Sequence, residues 1–77
     1  MTEVKIRLSL AEQVKAFVNI LTRFEYEMDL SSGRHKVDAK SILGIFSLDL
    51  SQPIMLEIHS DSCSDLLEEI KPFSVEA

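Results

Sequence analysis

Few side chains in this sequence can accept or hold a reactive group. The chain has two histidines, His35 and His59, and one cysteine, Cys63. An imidazole can serve as a base, a phosphoryl acceptor or a metal ligand. Each histidine stands apart from the other on a different predicted strand, and both read as surface residues. Two histidines and one cysteine are too few and too scattered for a metal centre, so no metal and no cofactor is expected. A single cysteine also forbids an internal disulfide. Cys63 falls at a predicted helix start, where a thiol's pKa can drop, but a small residue beside a cap is the plainer reading. Glu25, Glu27 and Asp29 share one strand face, and Asp65, Glu68 and Glu69 share one helix side. Both acid groups read as solvation rather than catalysis. No catalytic set emerges, and the chain is not expected to be an enzyme.

One serine stands out by its context. Ser41 precedes the apolar run Ile42-Leu43-Gly44-Ile45-Phe46-Ser47-Leu48, and its hydroxyl is suited to accept from a backbone N–H of the following turn as an N-cap. A short helix cannot bury apolar residues on all sides. Ile45 and Leu48, three apart, share a face, and Ile42, Leu43 and Phe46 fall largely to the other side. The second group is expected to remain exposed as a partner patch.

The remaining elements position this stretch. Glu3 to Leu8 alternates, with Val4, Ile6 and Leu8 on one side, as a half-buried strand does. Ser9-Leu10-Ala11-Glu12 reads as a capping box with Ser9 as cap. Leu10, Val14, Phe17, Val18, Leu21 and Phe24 then form one helical stripe. Glu25 to Leu30 alternates again, Ser31 to Arg34 is a turn with its glycine at positive φ, and His35 to Lys40 returns with Val37 and Ala39 inward. After the Ser41 helix comes a strand over Ile54 to His59 with Ile54, Leu56 and Ile58 inward. Ser62-Cys63-Ser64-Asp65 reads as a second capping box, opening a helix with Leu66, Leu67 and Ile70 as its stripe. Pro72 stops that helix, and a tail from Phe73 to Ala77 follows, with Phe73 docking. The order is β-α-β-β-α-β-α. Strands with one polar face and helices on the other make an α+β open-faced sandwich, one domain over residues 1–77.

Ala39-Lys40-Ser41-Ile42-Leu43-Gly44-Ile45-Phe46-Ser47-Leu48 resembles the regulatory-serine segment of HPr, the phosphocarrier family of the bacterial sugar phosphotransferase system. The likeness extends over most of the chain in element order and spacing. It implies an antiparallel sheet ordered 1-4-2-3, a partner surface at Lys40, Ile42, Leu43 and Phe46, and a regulatory phosphorylation site at Ser41. It also implies a phosphoryl-accepting histidine at the start of the first helix, where free N–H groups and the helix dipole stabilise a phosphate. The family pattern there is Gly-Leu/Ile-His-Ala/Thr-Arg-Pro-Ala. This chain has Ser9-Leu10-Ala11-Glu12-Gln13-Val14, with no histidine, arginine or proline. Glu12 sits about where the arginine would be and would repel a phosphate. With the strands put in register, the segment before the helix is about three residues shorter than the family's.

Net charge is −5, which argues against nucleic acid, since a phosphate backbone demands a basic face. It is equally unfavourable for an anionic membrane surface. No apolar run approaches the ~20 residues of a membrane span, and the N-terminus lacks a signal-peptide pattern. A cytoplasmic setting is expected. Three readings compete. The favoured one is a non-catalytic, HPr-like binding or regulatory module, whose partners are phosphotransferase-system components or a transcriptional regulator. The second is a phosphocarrier with an atypical acceptor, His35 or His59. The third is a homo-oligomerising structural domain, with the apolar patch as its interface.

Overall fold

The computed structural model describes residues 1–75. Glu76 and Ala77, the end of the expected tail, lie outside the described residues. The elements are β1 (Thr2–Ile6), α1 (Ala11–Leu21), β2 (Met28–Ser32), β3 (His35–Asp38), α2 (Ile42–Phe46), β4 (Ile54–Ile58) and α3 (Ser64–Glu69). A 3-10 turn over Lys71–Phe73 follows. All strand pairings are antiparallel, in the order β1-β4-β2-β3.

Alternation decides what each strand buries. Ile6, Met28, Leu30, Ile54, Leu56 and Ile58 point to one face and join Val14, Phe17, Val18 and Leu21 of α1, Ile45 of α2 and Leu66 of α3 in one core. The opposite face carries Glu3, Lys5, Asp29, Lys36, Asp38, Glu57 and His59, and no helix covers it. β4 lies inside the sheet, between β1 and β2, and its three inward residues are at most 2% exposed. The open-faced sandwich with the 1-4-2-3 order is therefore as expected.

Three local readings are corrected. Ser9 does not cap α1. Leu10 holds the N-cap position without a side-chain cap, and only the reciprocal half of a box forms, Gln13 Oε1 accepting from the backbone N–H of Leu10 and of Ser9. The frame is one residue later than expected because Gln13, not Glu12, stands three residues beyond the true cap. Leu10 consequently leaves the buried stripe and is 62% exposed. The second capping box also fails. Cys63 is the N-cap of α3 without a side-chain bond, because Asp65 turns instead to its neighbours, accepting from the Tyr26 hydroxyl at 2.9 Å and from the Leu66 N–H at 2.8 Å. Finally, β2 starts at Met28 rather than Glu25. Tyr26 is drawn out of a regular ladder by its stacking on Phe24 and its bonds to Asp65 and Ser62.

Phe73 docks as expected. Its ring meets Phe17 edge-on at 5.5 Å, and its carbonyl accepts from the Arg7 N–H at 2.9 Å. Cys63 is buried, as a small packing residue.

The β2–β3 hairpin closes on a two-residue turn, Gly33-Arg34, with Gly33 at φ 60°. That conformation at the first turn position matches the sheet twist and favours glycine. No neighbouring atom would touch an added Cβ, so Gly33→Ala isolates the backbone term. It should lower stability by about 1–2 kcal/mol, read as a fall in the thermal midpoint of about 4–8 °C per kcal/mol.

Candidate functional site

The start of α1 is where backbone N–H groups stand free for an anion. In this chain a side chain engages the backbone just ahead of it. Gln13 Oε1 accepts from Ser9 N at 2.8 Å, from Ser9 Oγ at 2.9 Å and from Leu10 N at 3.1 Å. The cap residue itself, Leu10, presents an apolar side chain to solvent. Glu12 adds a negative charge in the first turn. Nothing at this helix start can form a phosphoryl bond of the phosphohistidine type.

Neither histidine reaches it. Thr2 pairs with Ile58 and Ile6 with Ile54, so His59, following Ile58, lies at the opposite end of the sheet from the exit of β1 into α1. His35 is at the same end as Ile6, but the two outer strands are separated by three strand spacings, about 14 Å. His59 is engaged elsewhere, with its Nε2 2.9 Å from Asp29 Oδ2.

The Ser41 stretch forms as its residues dictate. Ser41 is the N-cap of α2, with extended backbone, and its Oγ accepts from the Gly44 N–H at 3.2 Å. The residue accepting this role must leave room behind it. A Cβ on Gly44 would stand 3.1 Å from Val37 Cβ and 3.2 Å from Ser41 Oγ, so glycine lets α2 sit close to β3. Ile45 and Leu48 are buried, whereas Ile42, Leu43 and Phe46 are 38%, 85% and 44% exposed. The division of the apolar run into two faces follows the predicted spacing. Lys40 is less free than expected, since its Nζ donates to the Phe24 carbonyl at 2.7 Å and so ties α2's approach to the end of α1.

A group on the bare sheet face escaped the sequence reading. Asp29, Glu57 and His59 place one donor atom each within 4.8 Å of one another. The signal was present only as alternation; register, which no local pattern states, brings the two strands' polar residues together.

These features define an HPr-type open-faced sandwich with a serine-capped α2 and no imidazole beside the start of α1. The chain belongs to the PTS-HPr family: the family model, described as the PTS HPr component phosphorylation site, matches residues 4–73. Members of this family are phosphocarriers or regulators that act through other proteins. Among solved structures, the chain is similar to HPr from Thermoanaerobacter tengcongensis, with 28% identity, a TM-score of 0.77, and coverage of 94% of this chain and 89% of that one. It is also similar in fold to the phosphocarrier protein HPr from Bacillus anthracis, at 23% identity and TM-score 0.71, over 96% of this chain and 94% of that one. A third relative in fold is Crh from Bacillus subtilis, a catabolite repression containing protein described as an intertwined, domain-swapped dimer. It is 24% identical with TM-score 0.64, over 99% of this chain and 93% of that one. No curated protein gives a significant match. No helix among the described residues is long and apolar enough to cross a membrane.

Proposed function

We propose that this chain is a regulatory, non-catalytic member of the HPr family, a protein-binding module acting through the surface around Ser41 in the cytoplasm. The observation that carries this reading is the absence of an imidazole at the start of α1. The Gln13 carboxamide ties down the N–H groups of Ser9 and Leu10 just ahead of the helix, an exposed Leu10 holds the cap position, Glu12 adds negative charge to the first turn, and no imidazole stands there. The surface at α2 is intact by contrast, with Ile42, Leu43 and Phe46 exposed beside a capped serine. The module would bind a phosphotransferase-system component or a transcriptional regulator, with phosphorylation of Ser41 setting the affinity through charge.

A phosphorelay assay with phosphoenolpyruvate and the general upstream kinase tests the first half of this reading. The expected result is no acid-labile phosphate on the protein, with an ordinary HPr labelled in parallel. Stoichiometric acid-labile label would instead establish His35 or His59 as an atypical acceptor. The Ser41 half is tested by pull-down from the native cytosol with wild type and Ser41→Asp. A change in the captured partner between the two is the expected outcome.

One observation favours a second reading, a homodimer. Ile42, Leu43 and Phe46 leave an apolar face of α2 exposed, which a second copy of the chain could cover. Sedimentation at micromolar concentration separates the readings: the regulatory module runs as a monomer, and a dimer would make the exposed residues part of a self-interface.

A further inference from the structure

The open face of the sheet carries four carboxylates in a single row. Glu3 pairs with Glu57, Glu57 with Asp29, and Asp29 with Asp38. Like charges directly opposite across strands destabilise a sheet, so this row asks for positive charge. Lys36 supplies some of it, with Nζ 2.8 Å from Glu57 Oε1. The Lys36 ammonium is held above its usual pKa by its hydrogen bond and charge interaction with Glu57, with Asp29 and Glu3 adding to the effect. A cation over this row faces the carboxylates of adjacent strands.

The row also contains a nitrogen donor. His59 Nε2 lies 2.9 Å from Asp29 Oδ2, and the donor atoms of Asp29, Glu57 and His59 all fall within 4.8 Å of one another. Two donors of one first-row ion, each bonded at about 2.0–2.2 Å, are separated by at most about 4.4 Å. Side-chain adjustments of a few tenths of an ångström bring the set to a common centre. The backbones are held by the β2–β4 ladder, in which Asp29 and Glu57 are directly paired, so the two carboxylates do not depend on a loop for their spacing. Asp29 and His59 also line a shallow cavity of about 280 Å³ with Glu25, Glu27, Asp38 and Lys40, which leaves room for water ligands.

We propose that Asp29, Glu57 and His59 form a surface site for a divalent transition-metal ion of the zinc class. One imidazole and two carboxylates suit such an ion better than calcium or magnesium, which take oxygen donors alone. Lys36 is the built-in competitor: it must release Glu57 when the metal enters. The three donors lie on the sheet face that the helices leave bare, and of the surface around Ser41 only Lys40 reaches the rim of their cavity.

Titration of the full, untagged chain with zinc chloride tests the assignment, by calorimetry for affinity and by amide NMR shifts for location. The expected result is saturable one-to-one binding with shifts centred on Asp29, Glu57 and His59. His59→Gln and Glu57→Gln should each weaken binding by about tenfold or more. Lys36→Gln should tighten it several-fold, because Glu57 is then free. These substitutions lie on the solvent face and leave the core untouched. Absence of saturable binding, shifts centred on His35, or an affinity unchanged in His59→Gln would overturn the proposal.

Discussion

Phe17→Ala should lower the unfolding free energy by about 3–5 kcal/mol, the usual cost of emptying a fully buried aromatic site. Phe17 is completely buried on α1 and meets Phe73 edge-on. It therefore holds both the helix and the chain's return past β1, where the Arg7 N–H donates to the Phe73 carbonyl and the Val75 N–H donates to the Lys5 carbonyl. In a single domain whose whole stability is on the order of 5–15 kcal/mol, such a loss is most of the margin. Urea unfolding followed by far-UV circular dichroism measures it. Phe73→Ala is the informative companion. Phe73 is only half-buried, so its deletion should cost clearly less. Equal losses would mean that the 3-10 turn, not the helix stripe, anchors this side of the core.

The second large effect is expected at the α2 surface and should leave stability alone. Leu43 is 85% exposed, so replacing it removes almost no buried area. If this face is the partner site, Leu43→Asp places a charge in the centre of an apolar contact. Central interface residues of this kind cost about 2 kcal/mol or more when lost, a factor of roughly thirty in affinity. Phe46→Ala should act in the same direction. Binding to the captured partner, measured beside a thermal unfolding curve for each variant, separates loss of contact from loss of fold. Unchanged affinity for both variants would remove the patch from the interface and with it the proposed mode of action.

How far the sequence could be read depended on the range of the interaction responsible. The strand alternation of Val4-Ile6 and Ile54-Leu56-Ile58, the α1 stripe around Phe17 and the split of the Ser41 run into Ile45 and Leu48 against Ile42, Leu43 and Phe46 were all legible. Each is a statement about which side of one element is apolar, and the period of the element carries it. The helix caps were legible only to within a residue. Ser9 and Gln13 both offer plausible capping chemistry, and the choice of Gln13 belongs to the geometry of the turn out of β1. Asp65 shows the same limit from another side: its local role was overridden by Tyr26, distant in sequence and adjacent in space.

That no histidine lies between β1 and α1 is a matter of residue identity and was legible before any coordinates, whereas the distance of His35 and His59 from that helix end came from strand order and register. Composition and periodicity likewise sufficed for an α+β layer with one wet face. The exposure of Leu10, the tether from Lys40 to the end of α1 and the meeting of Asp29, Glu57 and His59 arose from folding. They depend on strand register and on contacts between residues far apart in the chain, and a one-residue slip in pairing would have changed every one of those neighbours while preserving each strand's alternation.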